Sequence, residues 1–484
     1  MSSEGDHCAY SWLRVDNRCC VLVVSAGSGV ATAQAQVTAS GGIWGSAREL
    51  PGLASLNVGG VADVASMSCA SPTNCGAGGL YGDANGQTQP FVTSEQNGRW
   101  HTLEVPVIGL ANSGNGQTLS VSCPAAGSCS AGGFYTDDSN RVQAFVVTER
   151  NGAWGRGQEV PGLRQLNAGG DATINSVSCW AAGSCVAGGY YTDQANHQQG
   201  FVVVERNGVW GTAKEVPGLA QLNRGGSAQT YATSCATGGC TAAGWYADGA
   251  GHRQAFVASE RRGKWRTAAA VPGLARLNRG GFADVVSVSC PSAVSCGATG
   301  LFTEASGHIQ SFVVTQRGGR WGKALEVPAL ARLNIGGDAE PNTVSCWTTG
   351  DCSVGGVYTD ASGSQQAFMV TELGNRWGRA TEVPGTARLD RGESAGINSV
   401  SCVKGTCAAG GFYQRGATTE GFVVTGRNGR WGHAKPVPGL ARLNAGQDAS
   451  LYSLSCATVS HCTAIGVYEV HFESDVQVFV VNQK

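Results

Sequence analysis

Residues 120–139 read SVSCPAAGSCSAGGFYTDDS, and the two cysteines of this stretch, Cys123 and Cys129, stand six positions apart. Closely similar stretches recur seven more times along the chain. Their cysteine pairs are Cys69 and Cys75, Cys179 and Cys185, Cys235 and Cys240, Cys290 and Cys296, Cys346 and Cys352, Cys402 and Cys407, and Cys456 and Cys462. A pattern repeated this regularly belongs to the architecture of the whole chain and not to one local site.

The length of the repeat indicates how the units are arranged. The tryptophan of an NGxW-like motif recurs every 54 to 56 residues, at Trp44, Trp100, Trp154, Trp210, Trp265, Trp321, Trp377 and Trp431. Self-similarity at this period is typical of solenoids and propellers. Each unit contains four alternating segments rich in β-branched or aromatic residues, for example 230–235, 240–247, 254–261 and 264–272. The sequence therefore predicts an all-β fold, an eight-bladed β-propeller of four-stranded antiparallel blades.

Within this fold each cysteine pair lies across the mouth of the hairpin that joins the first two strands. Opposite residues of an antiparallel pair are about 4.5–5.5 Å apart, a separation that a disulfide can bridge. We therefore expect eight intramolecular disulfides, each within one blade. Metal binding is the alternative, but zinc cysteines usually stand two to four positions apart and come with a second pair or with histidine. We expect no metal and no cofactor.

The two ends of the chain complement each other. The last unit supplies strands at 451–456, 462–469 and 476–483 but stops at Lys484 before a fourth strand. Residues 43–51, IWGSARELP, form a fourth strand that has no blade of its own. We predict that this N-terminal strand closes the ring by pairing with the strand that contains Phe479, because closure removes two unpaired sheet edges.

The cysteine pattern and the N-terminus both predict export. Regular disulfide pairs are made in oxidising compartments. Arg14 and Arg18, an apolar run and the small residues ending at Ala35 follow the order of a signal peptide. We predict a signal peptide at 1–35 and one propeller domain at 36–484, in a secreted, extracellular protein. The alternative is that QVTASGGIWG, residues 36–45, only continues a degenerate repeat.

Charge and hydropathy limit the partners. The chain has 33 Lys plus Arg and 34 Asp plus Glu, which gives a formal net charge of −1. This balance argues against a nucleic-acid or anionic-membrane partner. No apolar stretch reaches the roughly 20 residues needed to span a bilayer. The oligomeric state is not indicated by these features.

The whole repeat, SVSC…CxAGGxYTD…QAFVVxERNGxWGxAxEVPGLAxLNxGG, resembles secreted eight-bladed repeat proteins from the genomes of high-GC Gram-positive bacteria. The resemblance runs from about Trp44 to the C-terminus and implies no function, because that family has no assigned activity. The hairpin TERNGAWG, residues 148–155, also resembles the Asp-box hairpin of sialidase-like propellers. Glu149 or Arg150 stands where that motif has Asp, so this resemblance supports the blade and not sialidase chemistry.

Catalytic motifs are not evident in the sequence. The strongest departures from the repeat are His197, His252 and His308 at equivalent turns of three successive blades, with Arg224 and Arg279 on the intervening connections. An acid, a base and a cation could assemble there. The alternative is that these turns accept any polar residue. Trp180 and Trp347, which follow the first cysteine of their blades, are predicted to be exposed turn residues.

A second candidate site uses the repeat itself. Tyr and Asp at the end of the second strand share a face, and Gln at the start of the third strand lies across the turn. An aromatic ring with a carboxylate and an amide can hold a sugar. The alternative is that Tyr packs between blades while Asp and Gln fix the turn. The candidate ligand-binding residues are Tyr135, Asp137, Gln143, Tyr191, Asp193, Gln199, Tyr246, Asp248, Gln254, Tyr358, Asp360 and Gln366.

These features predict a secreted, disulfide-stapled, lectin-like module that binds glycan or cell-envelope material. Four to six weak sites repeated on one face would act together on a polymer. The alternatives are a scaffold or adhesin that binds protein, and a polysaccharide lyase or hydrolase acting at the ring centre. An enzyme is the less favoured class, because unlike residues must gather at one place on a symmetric ring.

Overall fold

The computed structural model describes residues 42–101, 110, 112–472 and 474–484. The predicted signal peptide at 1–35, and with it the start of the predicted domain at 36–41, lies outside the described residues. The described residues belong to one compact unit, Ala39–Lys484, and form eight antiparallel sheets. Each sheet is one blade, numbered 1 to 8 in chain order. The predicted eight-bladed β-propeller of four-stranded blades is confirmed.

The first three strands of each blade are long and regular. The first strands are Ala62–Ser71, Gly116–Ala125, Ala172–Ala181, Ala228–Ala236, Ala283–Ser292, Ala339–Thr348, Ala395–Val403 and Ala449–Thr458. The second strands are Asn74–Gly82, Ser128–Thr136, Ser184–Thr192, Gly239–Ala247, Ser295–Thr303, Asp351–Thr359, Thr406–Arg415 and His461–His471. The third strands are Thr88–Gln96, Val142–Arg150, Gln198–Arg206, Arg253–Arg261, Ile309–Arg317, Gln365–Leu373, Thr418–Arg427 and Ser474–Asn482.

The fourth strand differs from the prediction because it is split into two short pieces. The first pieces are Arg99–Trp100, Ala153–Trp154, Val209–Trp210, Lys264–Trp265, Arg320–Trp321, Arg376–Trp377 and Arg430–Trp431. The second pieces are Arg48–Glu49, Gln158–Glu159, Lys214–Glu215, Ala269–Ala270, Leu325–Glu326, Thr381–Glu382 and Lys435–Pro436. Between the pieces the backbone turns away from its own sheet. In blade 3 the N–H of Ala213 donates to the carbonyl of Pro161 at 2.8 Å, which ties this edge strand to the preceding crossing.

Six of the connections from one blade to the next contain a single turn of helix. They are the α-helices Leu163–Leu166, Leu219–Leu222, Thr386–Leu389 and Leu440–Leu443 and the 3-10 helices Leu274–Arg276 and Leu330–Arg332. We call these connections crossings. The ring end that carries the crossings and the turns between second and third strands is the crossing face. No helix in the described part of the chain is long and apolar enough to cross a membrane.

The opposite end of the ring is the disulfide face, which carries the turns between first and second strands and between third and fourth strands. All eight predicted disulfides are present, with Cα–Cα separations of 3.9 to 4.1 Å. They join Cys69 to Cys75, Cys123 to Cys129, Cys179 to Cys185, Cys235 to Cys240, Cys290 to Cys296, Cys346 to Cys352, Cys402 to Cys407 and Cys456 to Cys462. Each bond therefore lies within one blade, as predicted.

The separation of the bonded cysteines is shorter than the sequence-based expectation. We expected about 4.5–5.5 Å between opposite residues, whereas Cys69 and Cys75 are 3.9 Å apart at their Cα atoms. The disulfide draws the two strands together where they enter the turn. The two turns of a blade are also joined to each other. In blade 2 the N–H of Gly152 donates to the carbonyl of Gly127 at 2.9 Å.

The predicted ring closure is confirmed. Arg48–Glu49 pairs with the third strand of blade 8, and Glu49 stands opposite Phe479. The N–H of Ile43 donates to the carbonyl of Lys484 at 2.6 Å, and the N–H of Leu50 donates to the carbonyl of Val478 at 2.8 Å. The chain ends therefore complete one blade together.

The glycine that recurs in every second strand permits a bulge in the first strand. A Cβ on Gly189 would lie only 1.8 Å from the carbonyl oxygen of Thr173, and the equivalent distances in the other blades are 1.8 to 2.1 Å. The strand register shifts at the same point, for example between Ile174 and Ser176. No other residue fits there, because any side chain would overlap the neighbouring backbone.

Serine hydroxyls join the first strands of neighbouring blades around the axis. Ser66 and Ser68 of blade 1 accept hydrogen bonds from the N–H groups of Val121 and Cys123 of blade 2, both at 3.0 Å. Ser453 and Ser455 of blade 8 bond Met67 and Cys69 in the same way across the closure. This contact explains the recurring SxSC motif. It supplies partners for backbone donors on the free edge of the sheet, where the first strand has no neighbouring strand.

Buried glutamates link neighbouring blades nearer the outside of the ring. Glu205 of blade 3 has no exposed surface and accepts hydrogen bonds from Ser130 and Thr148 of blade 2, both at 2.9 Å. The indole N–H of Trp210 donates to the same Thr148 at 3.2 Å. Glu149 accepts a hydrogen bond from Ser94 in the same way. Glu149, the residue in the Asp-box-like position, therefore holds blades 1 and 2 together.

Candidate functional site

Each predicted Tyr, Asp and Gln set comes together at the crossing face of its blade. In blade 3 one carboxylate oxygen of Asp193 accepts the N–H groups of Ala195 and His197, both at 2.9 Å. Its other oxygen accepts the Gln199 side-chain amide at 3.1 Å. The same Asp–Gln bond forms in blades 1, 2, 4 and 6. The acid therefore fixes the turn between the second and third strands.

An asparagine of the following crossing completes this network. The amide of Asn223 donates to the carbonyl of Gln198 at 3.0 Å and to the side-chain oxygen of Gln199 at 3.1 Å. Asn167, Asn278 and Asn334 repeat both contacts in blades 2, 4 and 5. The recurring LN of the crossing is thus the sequence signal of a contact that holds the crossing on its blade.

The tyrosine rings of the set are buried. Tyr135, Tyr191, Tyr246 and Tyr358 are only 1, 4, 6 and 4% exposed. Tyr191 belongs to the same apolar cluster as Val160 and Leu163 of the preceding crossing. A ligand on the crossing face would therefore meet the partly exposed carboxylates of Asp193 and Asp248 before it met a ring, whereas Gln143 and Gln366 are themselves only 3 and 5% exposed.

Glutamates of the fourth strand lie beside the tyrosine hydroxyls. Tyr135 donates a hydrogen bond of 2.6 Å to Glu159, and Tyr358 donates one of 3.5 Å to Glu382. Burial, followed by the charges of Glu215 and Asp193, raises the pKa of Tyr191 to about 12. These tyrosines consequently remain protonated, and Tyr135 and Tyr358 serve as hydrogen-bond donors.

The acids of blades 3 and 4 are more accessible than the acid of blade 2. The side chains of Asp193 and Asp248 are 28 and 29% exposed, whereas that of Asp137 is 8% exposed. Burial opposes ionisation, but hydrogen bonds from the turn N–H groups and from Gln199 outweigh it and lower the pKa of Asp193. The same causes lower the pKa of Asp248. Both carry a negative charge on the crossing face at neutral pH.

The three histidines singled out in the sequence stay in separate blades. The nearest nitrogens of His197 and His252 lie 3.9 and 3.7 Å from the turn carboxylates Asp193 and Asp248. Each ring also covers a glycine of the next crossing: a Cβ on Gly226 would lie 2.7 Å from the His197 ring. Equivalent contacts occur between Gly281 and His252 and between Gly337 and His308.

Arg224 and Arg279 are exposed on these crossings, and no ion pair joins either of them to a described residue. Among the residues that the structure describes, no group of three or more His, Cys, Asp or Glu side chains could hold a metal ion.

Trp180 and Trp347 are half-buried, which corrects the prediction that they are exposed turn residues. Both precede a blade whose cysteines are separated by five residues instead of six. Each packs against the apolar cluster shared with that next blade. A tryptophan therefore stands beside each of the two shorter turns, a correlation that the sequence already contained.

Near the ring axis, sequence reasoning missed a set of unlike residues. The second residue of the first strand is Asp63, Gln117, Thr173, Gln229, Asp284, Glu340, Gly396 or Ser450. Gln117 donates a hydrogen bond of 3.1 Å to Asp63, so neighbouring blades touch through this position. Burial raises the pKa of Asp63 and of Glu340. The departure from the repeat was visible in the sequence, but its location beside the axis was not.

At the contact between blades 4 and 5, the residue at this position is Asp284, which lies beside an arginine that packs on two aromatic rings. The guanidinium of Arg253 lies 3.8 Å from the centre of the Trp245 ring and 4.6 Å from that of Phe282. Its Nε is 2.5 Å from Oδ1 of Asp284. Burial raises the pKa of Asp284 to about 6, although Arg253 acts in the opposite direction. Desolvation of the carboxylate therefore exceeds the gain from the ion pair.

This raised pKa makes stability depend on pH. Folded Asp284 holds its proton more tightly than the unfolded chain does, so the free energy of unfolding falls as pH rises from about 4 to 7. Asp284→Asn removes this dependence. Between pH 4 and pH 7 we expect the variant to gain about 2 kcal/mol relative to the natural protein. Urea unfolding at both pH values measures the difference. Exposed Asp138→Asn is the control, and equal pH dependence in all three proteins would contradict the assignment.

Comparison with known proteins assigns this chain to no family. No family model and no curated protein matches the chain. A solved structure of Sqt1 from Chaetomium thermophilum is similar at 12% identity and TM-score 0.46, covering 87% of this chain and 97% of that one. An ulvan lyase of polysaccharide lyase family PL25 is similar at 8% identity and TM-score 0.43, over 88 and 95% of the two chains.

The subtype N11 neuraminidase-like protein of A/flat-faced bat/Peru is similar at 12% identity and TM-score 0.36, over 68 and 90% of the two chains. Likenesses of this strength say nothing about what the chain binds. The class that the fold itself defines is an eight-bladed β-propeller with a disulfide in every blade.

Proposed function

We propose that this protein is a secreted, multivalent binding module for glycan or cell-envelope material, and that it contacts its ligand through the crossing face. One observation carries the proposal: the same hydrogen-bonded Asp–Gln pair stands at the crossing face of blades 1 to 4 and 6. The proposed ligand-binding sets are Tyr135, Asp137 and Gln143; Tyr191, Asp193 and Gln199; Tyr246, Asp248 and Gln254; and Tyr358, Asp360 and Gln366.

Carboxylates and amides are suitable partners for sugar hydroxyls. An ionised carboxylate offers several lone pairs, and Gln offers both a donor and an acceptor. In this geometry the sugar contacts the Asp and Gln edges where they are partly exposed, as in blades 3 and 4, while the buried tyrosine beneath them keeps the turn in place. Each such contact is weak, but successive contacts with one polymer are intramolecular and increase the overall affinity.

Export is part of the proposal. Eight disulfides in one chain are consistent with an oxidising compartment outside the cell. The proposed signal peptide at 1–35 would direct the chain there. The resemblance to secreted repeat proteins of high-GC Gram-positive bacteria supports the same localisation.

Asp193→Asn and Asp248→Asn test the binding face. Asn keeps the oxygen that accepts the turn N–H groups but removes the charge at two partly exposed sites. A glycan array first selects the neutral polysaccharide that the natural protein retains best. We expect each single variant to weaken retention on that polymer and the double variant to weaken it about tenfold, as expected for charge-assisted hydrogen bonds.

Asp138→Asn is the matched control, because Asp138 is exposed on the same face but outside the Asp–Gln network. Its retention should equal that of the natural protein, and circular dichroism should show all four variants folded. Unchanged retention in the folded double variant would refute the crossing face as the binding surface. A natural protein that retains no array glycan would refute the glycan class itself.

A further inference from the structure

Basic residues concentrate on the disulfide face. The hairpins between third and fourth strands occupy 96–101, 150–156, 206–212, 261–267, 317–323, 373–379 and 427–433. All of them carry Arg or Lys, and none contains Asp or Glu. The density is greatest along the arc of blades 4 to 7. Exposed members there include Arg266, Arg320, Lys323, Arg376, Arg379 and Arg430.

Almost no negative charge opposes them at this end of the ring. The turns between first and second strands contain one acid, Asp351, whose carboxylate accepts the N–H of Gly374 at 2.7 Å. The glutamates that end the third strands, such as Glu205 and Glu372, are fully buried and bonded to neighbouring blades. No ion pair among the described residues involves any of the six basic residues named for the arc.

The nearly neutral chain is therefore strongly polarised. The formal net charge of −1 arises because acids elsewhere balance this basic end. The crossing face carries both signs, with Asp193 and Asp248 on its turns and Arg276 and Arg332 on its crossings. Composition alone could not show the segregation, because it appears only when propeller topology brings every hairpin between third and fourth strands to one end.

We propose that the arc of blades 4 to 7 on the disulfide face binds an acidic polysaccharide bearing carboxylate or sulfate groups. Arginine forks match the planar geometry of carboxylates and bind sulfate oxygens in pairs. One cluster of charges per blade along an arc fits a flexible polymer whose charges repeat along its length. This site lies at the opposite end of the ring from the proposed crossing-face site and does not depend on it.

Two features favour a polysaccharide over a nucleic acid. Disulfides in all eight blades are typical of the extracellular compartment, where charged polymers on surfaces are largely carbohydrate. Each hairpin of the arc also contains a partly exposed tryptophan beside its arginines: Trp265, Trp321, Trp377 and Trp431. An indole offers an apolar surface to the face of a sugar ring.

A quadruple variant with one change in each blade of the arc provides the test: Arg266→Gln, Arg320→Gln, Arg376→Gln and Arg430→Gln. The matched control is Arg276→Gln, Arg332→Gln, Arg388→Gln and Arg442→Gln, which removes equal charge from exposed crossing residues of the same four blades. The probes are labelled dextran sulfate and polygalacturonate at low ionic strength, with uncharged dextran and a short duplex DNA for comparison.

We expect the arc variant to lose at least about tenfold in affinity for both acidic polysaccharides, because each exposed charge contact contributes modestly. The control variant should bind like the natural protein, and salt should weaken binding of both. Equal losses in the two variants would overturn the proposal, because net charge alone would then account for binding. Tighter binding of duplex DNA than of either polysaccharide, or no binding to either acidic polymer, would also overturn it.

Discussion

A variant that begins at Gly52 should be less stable to unfolding, by more than about 4 kcal/mol, than a variant that begins at Gly42. The shorter variant lacks the strand Arg48–Glu49, which completes blade 8. It also lacks Leu50, whose side chain has no exposed surface. Removing one buried leucine side chain costs about 2 to 5 kcal/mol before any backbone pairing is counted.

The loss also exposes a sheet edge. The third strand of blade 8 would present Phe479 and Val480 without a backbone partner, although the first strand of blade 8 would still contact blade 1 through Ser453 and Ser455. Edges of this kind pair with other chains, so the shorter variant should also aggregate. Urea unfolding measures the free energy, and light scattering measures the aggregation.

Point variants separate the two contributions to this effect. Leu50→Ala keeps the backbone pairing and should cost about 2 to 5 kcal/mol. Ile43→Ala, at a residue that is 83% exposed, is the matched control and should change stability by less than about 0.5 kcal/mol. Equal unfolding free energies for the variants beginning at Gly42 and Gly52 would contradict closure as a source of stability.

Features that depend on a single blade were predictable from the sequence. Strand alternation and turn residues predicted the blades, and hairpin geometry predicted the disulfides. The pairing of the N-terminal strand with the strand that contains Phe479 followed from counting strands at the two ends. These inferences need only local periodicity and the requirement that an edge be covered.

Features that depend on contacts between blades were harder to predict. The alternation of side chains along a strand showed that Tyr191 and Asp193 share a face. It did not show that Val160 and Leu163 of the preceding crossing belong to the same apolar cluster as Tyr191. The serines of the SxSC motif were conspicuous, yet their partners lie in the next blade. Sequence periodicity describes the strands of one sheet and carries no information about contacts with the neighbouring blade.

In the fourth strand, a hydrogen bond to the preceding crossing overrides the strand pattern of the local sequence. Its alternating residues predicted a continuous strand, whereas the structure divides it around Gly211–Ala213. The N–H of Ala213 leaves the sheet to donate to Pro161 of the preceding crossing. The recurring VPGL thus supplies a carbonyl acceptor in addition to ending the strand.

Reduction of all eight disulfides should unfold the protein at physiological temperature. Each bond closes a loop of only five or six residues' separation, for which the chain-entropy model gives about 2 kcal/mol. Eight such contributions, even if only partly additive, are comparable with the total stability of a typical domain, about 5 to 15 kcal/mol. Reduction affects every blade, so every sheet of the ring loses the disulfide that constrains its first hairpin.

Circular dichroism before and after reduction and thiol alkylation measures this loss, and mass spectrometry counts the alkylated cysteines. A single-blade variant, Cys123→Ala with Cys129→Ala, is the matched comparison and should lose about 2 kcal/mol while remaining folded. Both cysteines are buried, at 7 and 4% exposure, so apolar replacements preserve the packing better than polar ones. If the fully reduced, alkylated protein kept its strand signal and melting temperature, the serine and glutamate contacts between blades would be sufficient for folding. The inference that the protein needs an oxidising compartment would then lose its physical basis.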